Sequence, residues 1–347
     1  MKKRLSPETF GIPVKEMKNG FYSDKYFART RDILNNDKNH SVVVMQVFSK
    51  GDGILCGIDE AIAILRLCAE DSGKLKINAL YDGNRVSNGE TVLTIEGDYS
   101  SFAHLETIYL GVMARGTSIA SAVHEVVEAA QGKTVLFFSA RFDHYRTQLA
   151  DGYAAFVGGA HEVSTDANGF LHGVQGIGTI PHGLIAAYNG NTLAACKAFI
   201  NHTSTDVELI ALVDFDNDCI NTSLQVARYF KGKLWGVRLD TAGDIRDVSV
   251  IAVGNNSFGV CPELVWKVRR SLDREGFDRV KIIISGGFNK ERIKRFVGLD
   301  VPFDAVGVGS SFLKKRIDFT ADIVMVNGKP CAKKGRKYSP NSRLEAV

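Results

Sequence analysis

From Thr134 to Ser311 the chain repeats one unit, a short apolar run rich in β-branched residues followed by a stretch with helical periodicity. The runs are "TVLFFSA", "GVQGIGT", "ELIALVDF", "LWGVRLD", "VKIIISGG" and "DAVGVGSS", and "HEVST" near His161 is a shorter candidate. Between two of them, "PELVWKVRRSLDREGF" places Leu264, Val265, Val268 and Leu272 on one helical face. Near-continuous apolar strands alternating with amphipathic helices predict a parallel sheet buried on both sides. Six or seven such units suit an incomplete parallel β/α barrel within an α/β chain. The alternative is a doubly wound open sheet, but no G-x-G-x-x-G follows an early strand.

The first part of the chain follows another pattern. "HSVVVMQVFSK" and "TVLTIEGDYSSF" predict strands, "IDEAIAILRLCAEDSG" predicts a helix stopped by glycine, and "YDGNRVSNGE" holds two turn signals. The expectation is a separate N-terminal α+β domain over 1–115, completed by a C-terminal hairpin within 320–347, with the barrel over 116–319. The boundary should fall inside "GVMARGTSIASAVHEVVEAAQGK".

Composition narrows the function classes. The 347 residues carry a net charge of +4, with lysines and arginines scattered rather than striped, which suits an anionic small molecule and argues against nucleic acid. The six cysteines never approach C-x-x-C spacing and mostly sit among apolar neighbours, as reduced thiols do. No apolar run reaches membrane-spanning length and "MKKRLSPETF" lacks a signal-peptide core, so no membrane partner and a cytoplasmic location are expected.

Catalytic groups of a β/α barrel gather at the carboxyl ends of its strands. Polar residues collect there in this sequence: Arg141, then Thr165 and Asp166, then Thr179 and His182, then Asp214 and Asp216, then Arg238 and Asp240. Any one of them could be a helix cap or a satisfied loop residue; the succession points to a site. The last two runs end in Ser285-Gly286-Gly287 and Gly307-Val308-Gly309-Ser310. Glycine weakens a strand and packs nothing. At the last two strand-to-helix turns of a barrel it lets a phosphate approach backbone N–H groups, with Ser285 and Ser310 as added hydroxyl donors.

"VDFDND" spaces Asp214, Asp216 and Asp218 on alternate positions, which suggests a cation. An EF-hand is excluded, because Cys219 stands where glycine is required and Gln225 where glutamate should be. Mg²⁺ held partly by substrate oxygens needs only one or two carboxylates, so Asp214, Asp216 and Asp240 are candidate ligands and one aspartate of the run is expected to cap a helix. His161, Glu162 and His172 lack H-E-x-x-H spacing, which argues against zinc. Lys281 opens its strand rather than ending it, which argues against Schiff-base chemistry.

In this order the motifs resemble the nicotinate phosphoribosyltransferases, which belong with the quinolinate and nicotinamide enzymes. "SDKYFARTRDIL" is similar to that family's Asp-x-Tyr segment, "GTIPH" to its Gly-Thr-x-x-His, "GVRLDT" to its Arg-Leu-Asp-Ser/Thr, and "ISGGF" and "VGVGSSF" to its phosphate turns. The resemblance covers nearly the whole chain. "RLDTAGD" departs from the vertebrate-like pattern by the extra Ala242, and the chain is closer to a short, archaeal-type subgroup.

The resemblance implies that nicotinate is joined to 5-phosphoribosyl 1-pyrophosphate to give nicotinate mononucleotide and pyrophosphate, in NAD biosynthesis. It implies Mg²⁺, ATP as a co-substrate coupled through phosphorylation of His182, and a homodimer with shared active sites. Asp240 and Asp214 then take cation and ribose roles, and Arg141 holds a carboxylate or a phosphate. Tyr26 stacks on the pyridine ring from the partner subunit, and Thr165, Asp166, Thr179, Arg238 and Thr241 line the substrate site. Competing readings are a decarboxylating quinolinate phosphoribosyltransferase, a β/α-barrel isomerase of a phosphorylated sugar, and a pyridine-nucleotide sensor without chemistry. A quinolinate enzyme must hold two ring carboxylates, for which a denser cluster of cations than Arg141, Arg146 and Arg238 is expected.

Overall fold

A computed structural model describes residues 4–204, 207–252 and 257–347. The chain divides into two compact units. One comprises 1–122, 153–158 and 315–347; the other comprises 123–152 and 159–314. The division falls inside the helix Glu106–Ala130.

The first unit is built on an antiparallel sheet. Its early strands are β1 (Val42–Ser49), β3 (Lys76–Ala79) and β5 (Thr91–Asp98), while β2 (Gly53–Ile54) and β4 (Arg85–Val86) pair with each other in a separate two-stranded sheet. In β1, Val43, Met45 and Val47 alternate onto the buried face, as a strand with one covered face requires. The helix Ile58–Cys68 buries Ile58, Ala61, Ile62, Ile64 and Leu65 in the same core. It ends at Cys68, before the glycine expected to stop it; the next residue, Ala69, already has extended backbone.

The second unit holds six parallel strands: β6 (Thr134–Phe137), β7 (Glu162–Val163), β8 (Leu209–Leu212), β9 (Leu234–Leu239), β10 (Lys281–Ile284) and β11 (Ala305–Val308). Their order is β7-β6-β11-β10-β9-β8, a curled half-barrel whose open ends are β7 and β8. Ile282, Ile283, Ile284, Val306 and Val308 are all buried, which explains the absence of polar alternation in their runs. The helix Pro262–Arg274 buries Leu264, Val265, Val268 and Leu272, the face its periodicity predicts.

The expected strand "GVQGIGT" is not formed, and its place in chain order is the gap between β7 and β8. Gly173 takes a left-handed backbone, with φ of 67°. Gly176 lies so close to Thr165 that a Cβ there would sit 2.5 Å from the Thr165 carbonyl carbon. A single backbone bond, from Ile177 N–H to the Val163 carbonyl, ties the segment to β7. Glycine bought close approach here at the expense of a ladder.

The chain then returns to the first unit. β12 (Phe319–Val326) pairs antiparallel with β1, and β13 (Lys329–Pro330) and β14 (Glu345–Ala346) complete a sheet of order β13-β12-β1-β5-β3-β14. Among the described residues no helix is long and apolar enough to cross a membrane. Cys56, Cys68, Cys196, Cys219 and Cys261 are buried free thiols, and Cys331 is exposed.

His104 is buried in the first unit, with neither ring nitrogen hydrogen-bonded. Burial, reinforced by the Arg31 charge, lowers its pKa to about 4. The unfolded chain then binds a proton that the folded chain refuses, so stability should fall as the pH drops from about 6.5 toward 4. His104→Leu is expected to remove a few kcal/mol of that acid sensitivity, measured as the pH dependence of the urea midpoint.

Candidate active site

The carboxyl ends of β6, β7, β9, β10 and β11 surround a cavity of about 510 Å³ within the second unit, and Asp214 and His182 are not among its lining residues. Arg238 and Asp240 enter it from the end of β9, the Ser285–Phe288 turn from β10, and Gly307, Gly309 and Ser310 from β11. Arg141, Ser164, Thr165 and Thr179 add to the polar lining, and Phe138, Phe142, Ile177 and Pro181 supply apolar walls.

Arg238 is the hub. Its Nε donates to Ser285 Oγ at 2.8 Å, Nη1 to Thr179 Oγ1 at 3.1 Å, and Nη2 to Asp240 Oδ2 at 3.0 Å. The Ser285 hydroxyl donates to the other carboxylate oxygen, Asp240 Oδ1, at 2.6 Å. The guanidinium carbon also lies 5.4 Å from the Phe138 ring centre, within cation–π range. Charge-assisted bonds of this kind are roughly twice as strong as neutral ones, so both charged groups are held in one arrangement.

His182 begins the helix His182–Ala187, and its Nε2 lies 3.0 Å from both Asp214 oxygens. The Asp214 side chain is 6% exposed against 46% for His182. Burial raises the Asp214 pKa, His182 opposes the shift, and the Asp240 charge adds to it. A carboxylate only accepts, so in this pair the imidazole donates from Nε2, and Nδ1 takes no part in the contact.

The glycine turns divide into two kinds. Gly286 and Gly287 have φ of 90° and 70°, a left-handed conformation that other residues adopt at a cost. They lead into the helix Lys290–Gly298, which Asn289 caps by accepting from Arg292 N–H. Arg292 holds the turn from behind, donating Nη1 to the Gly286 carbonyl at 2.7 Å and stacking over Phe288 at 4.1 Å. On the β11 side a Cβ at Gly307 would fall 2.6 Å from the Phe138 ring. That glycine makes room for the aromatic wall beneath Arg238 as well as for a ligand.

Several expected roles change. Ser285 is buried, and its single hydroxyl proton goes to Asp240, so it is not positioned as a phosphate donor. Thr241 is buried with its hydroxyl 3.8 Å from Cys219 Sγ and does not line the cavity. Thr165 lines the cavity, but its hydroxyl caps the Asp166–Gly169 turn by accepting from Asn168 N–H. Asp166 is exposed and accepts from Gly176 N–H. Asp216 is exposed and Asp218 is the helix cap of the acidic run. Among the described residues no three or more His, Cys, Asp or Glu side chains form a group that could hold a metal ion, so Asp214, Asp216 and Asp240 do not make a three-carboxylate site. Tyr26 belongs to the first unit, 60% exposed on the helix Lys25–Asn36.

Phe138, Phe142, Phe288 and Arg292 were not foreseen. Phe138 and Phe142 flank Ser139 and Arg141 just beyond β6, where the paired "FF" offered a signal, since alternate residues of a strand face opposite ways. Arg292 lies inside a helix with ordinary polar periodicity and carried none.

The comparisons follow this geometry. Residues 24–117 match the family profile described as quinolinate phosphoribosyl transferase, N-terminal domain. A crystal structure of nicotinate-nucleotide pyrophosphorylase from Pyrococcus furiosus is 32% identical, with a TM-score of 0.83, covering 100% of this chain and 86% of that one. A nicotinate phosphoribosyltransferase of Mycobacterium tuberculosis is 29% identical over 293 residues, 82% of this chain and 61% of that protein. One from Bacillus subtilis is 24% identical over 241 residues, 68% of this chain and 45% of that protein. The chain thus spans about three-fifths or less of the length of these curated relatives.

Gly307→Ala is expected to displace Phe138 and to destabilise the protein by about 1–3 kcal/mol through overpacking, measured by urea unfolding. A change below about 0.5 kcal/mol means that the ring moves freely and does not support Arg238.

Proposed function

The chain belongs to the nicotinate and quinolinate phosphoribosyltransferase family, and we propose that it joins nicotinate to 5-phosphoribosyl 1-pyrophosphate, giving nicotinate mononucleotide and pyrophosphate. The observation that carries this choice is the cation count of the cavity. Arg141 and Arg238 are the two basic residues among its described lining, and Arg238 is already bonded to Asp240, Ser285 and Thr179. That leaves one uncommitted guanidinium for a ring carboxylate, which suits nicotinate better than the two carboxylates of quinolinate. The quinolinate reading keeps support from the family profile on residues 24–117.

The chemistry asks little of a base. The pyridine nitrogen carries its own lone pair, which forms the bond to C1 of the ribose as the C1–oxygen bond to pyrophosphate breaks. What the protein supplies is position and charge. Backbone N–H groups at the Gly286-Gly287 and Gly309-Ser310 turns would hold the 5-phosphate. The fixed Asp240 carboxylate would face the ribose and the positive charge developing there, and Arg141 would orient the ring through its carboxylate.

Mg²⁺ would be held by Asp240 and Asp214 together with substrate oxygens, an arrangement that needs no protein cage. When bound it supplies neutralisation of the pyrophosphate. ATP enters as a co-substrate through His182: Nδ1 takes the γ-phosphoryl group as the bond to ADP breaks, with Asp214 holding the ring. In a cytoplasmic homodimer, Tyr26 from the partner subunit would wall the pyridine ring and help exclude water.

The test is turnover with 5-phosphoribosyl 1-pyrophosphate and nicotinate, quinolinate or nicotinamide, each with and without ATP. The expected result is product from nicotinate, increased by ATP; preferential use of quinolinate with release of CO₂ overturns the reading. In the same assay Asp240→Asn should lower kcat by more than about tenfold, equivalent to about 1.4 kcal/mol of transition-state stabilisation, with the fold unchanged by circular dichroism.

A further inference from the structure

The Ser285 hydroxyl, at the start of the glycine turn, bonds to the charged pair of the neighbouring strand. It accepts from Arg238 Nε at 2.8 Å and donates to Asp240 Oδ1 at 2.6 Å, while Arg238 Nη2 closes the ring on Asp240 Oδ2 at 3.0 Å. A hydroxyl has one proton to give, and the charged Asp240 oxygen at 2.6 Å takes it in preference to the Leu239 carbonyl at 3.3 Å. The serine backbone is anchored separately, with its N–H donating to the Leu239 carbonyl at 2.9 Å. Because β9 and β10 are parallel neighbours in fixed register, this side chain spans the two strand ends that carry the charged pair and the phosphate turn. At 3% exposure, the residue sits at the wall of the cavity with its hydroxyl already bonded, beside the Arg238 and Asp240 side chains that it orients.

From this geometry we infer that Ser285 is a positioning residue. It locks the Asp240 carboxylate and the Arg238 fork into one orientation through a three-membered hydrogen-bond ring, and it does not bind phosphate. The inference rests on the proposed reaction for its kinetic readout and on the observed hydrogen bonds for its structural one. Without the hydroxyl, Asp240 Oδ1 loses a donor and Arg238 Nε loses an acceptor, so both side chains can rotate into the cavity. Phosphate capture at the turn depends on Gly286 and Gly287, whose backbone conformation does not involve the serine side chain. A lost positioning contact and a lost phosphate contact therefore separate in measurement. The first lowers kcat, because misplacement by about 1 Å can cost about a hundredfold. The second weakens the binding of any phosphorylated ribose.

The experiment compares wild type with Ser285→Ala, and with Ser285→Cys as a near-isosteric variant that keeps the volume but donates weakly. Ribose 5-phosphate is titrated by calorimetry and turnover is measured with nicotinate. The expected result for both variants is a tenfold to hundredfold fall in kcat, by the cost of misplacement, with ribose 5-phosphate affinity within about twofold of wild type, because the backbone N–H groups remain. A double-mutant cycle with Asp240→Asn should be strongly non-additive, since the serine acts through that carboxylate. Unchanged kcat, or a loss confined to ribose 5-phosphate affinity, overturns the assignment. A wild type inactive with every pyridine acid instead overturns the proposed reaction. The structure of the Ser285→Ala variant then decides the positioning role alone: Asp240 and Arg238 rotated from their present partners sustains it, and both unmoved overturns it.

Discussion

The pairing of Arg238 with Asp240 is the interaction on which the rest of the cavity depends. Two charges of opposite sign share a partly enclosed site, with side chains 19% and 22% exposed. An ion pair that loses water is stabilised only if its remaining hydrogen-bond capacity is also met. Ser285 and Thr179 meet much of that need, and the Phe138 ring faces the guanidinium. Each of these partners comes from a different strand end or loop, so the pair, local to the end of β9, is fully bonded only when the parallel register is correct. The half-barrel is a means of bringing the ends of β6, β9, β10 and β11 to one place.

The same logic explains the glycines. At Gly286 and Gly287 the requirement is conformational, a left-handed turn that opens a capped helix toward the cavity. At Gly307 the requirement is spatial, because Phe138 occupies the volume that a side chain would need. One pattern in the sequence thus answers two physical demands. His182 and Asp214 form a second polar pair at the end of β8, where a buried carboxylate sets the proton position of a half-exposed imidazole.

Fold class was legible because buried parallel strands and amphipathic helices differ in period, and the difference survives over many repeats. The helix Pro262–Arg274 and the triplet Ile282–Ile284 carry that signal plainly. "GVQGIGT" misled because β-branched Val174 and Ile177 among small residues look like a short strand, while the close approach of Gly176 to Thr165 is a tertiary fact. At the cavity, the residue types at the strand ends were visible, but their partners were not. Nothing local distinguishes Ser285, whose hydroxyl turns to Asp240, from Ser310, although both line the cavity. Thr241 follows Asp240 directly and is buried against Cys219, since neighbours along an extended chain face opposite sides. The acidic run at Asp214 divided because the chain turns there, with Asn217 N–H donating to the Asp214 carbonyl, so residues two apart no longer share a side. Asp214 meets His182, Asp216 is exposed and Asp218 caps a helix.

The central claim is that one preorganised cavity takes a phosphorylated ribose at its glycine turns and presents Asp240 to the ribose carbon. The most direct measurement is a crystal structure of the protein with nicotinate mononucleotide bound. The account predicts the phosphate on backbone N–H groups of Gly286, Gly287 and the Gly309-Ser310 turn, the ribose hydroxyls toward Asp240, and the Arg238–Asp240–Ser285 ring unbroken. A phosphate seated instead on Arg141, or an Asp240 carboxylate released from Ser285 and turned away from the ribose, contradicts it.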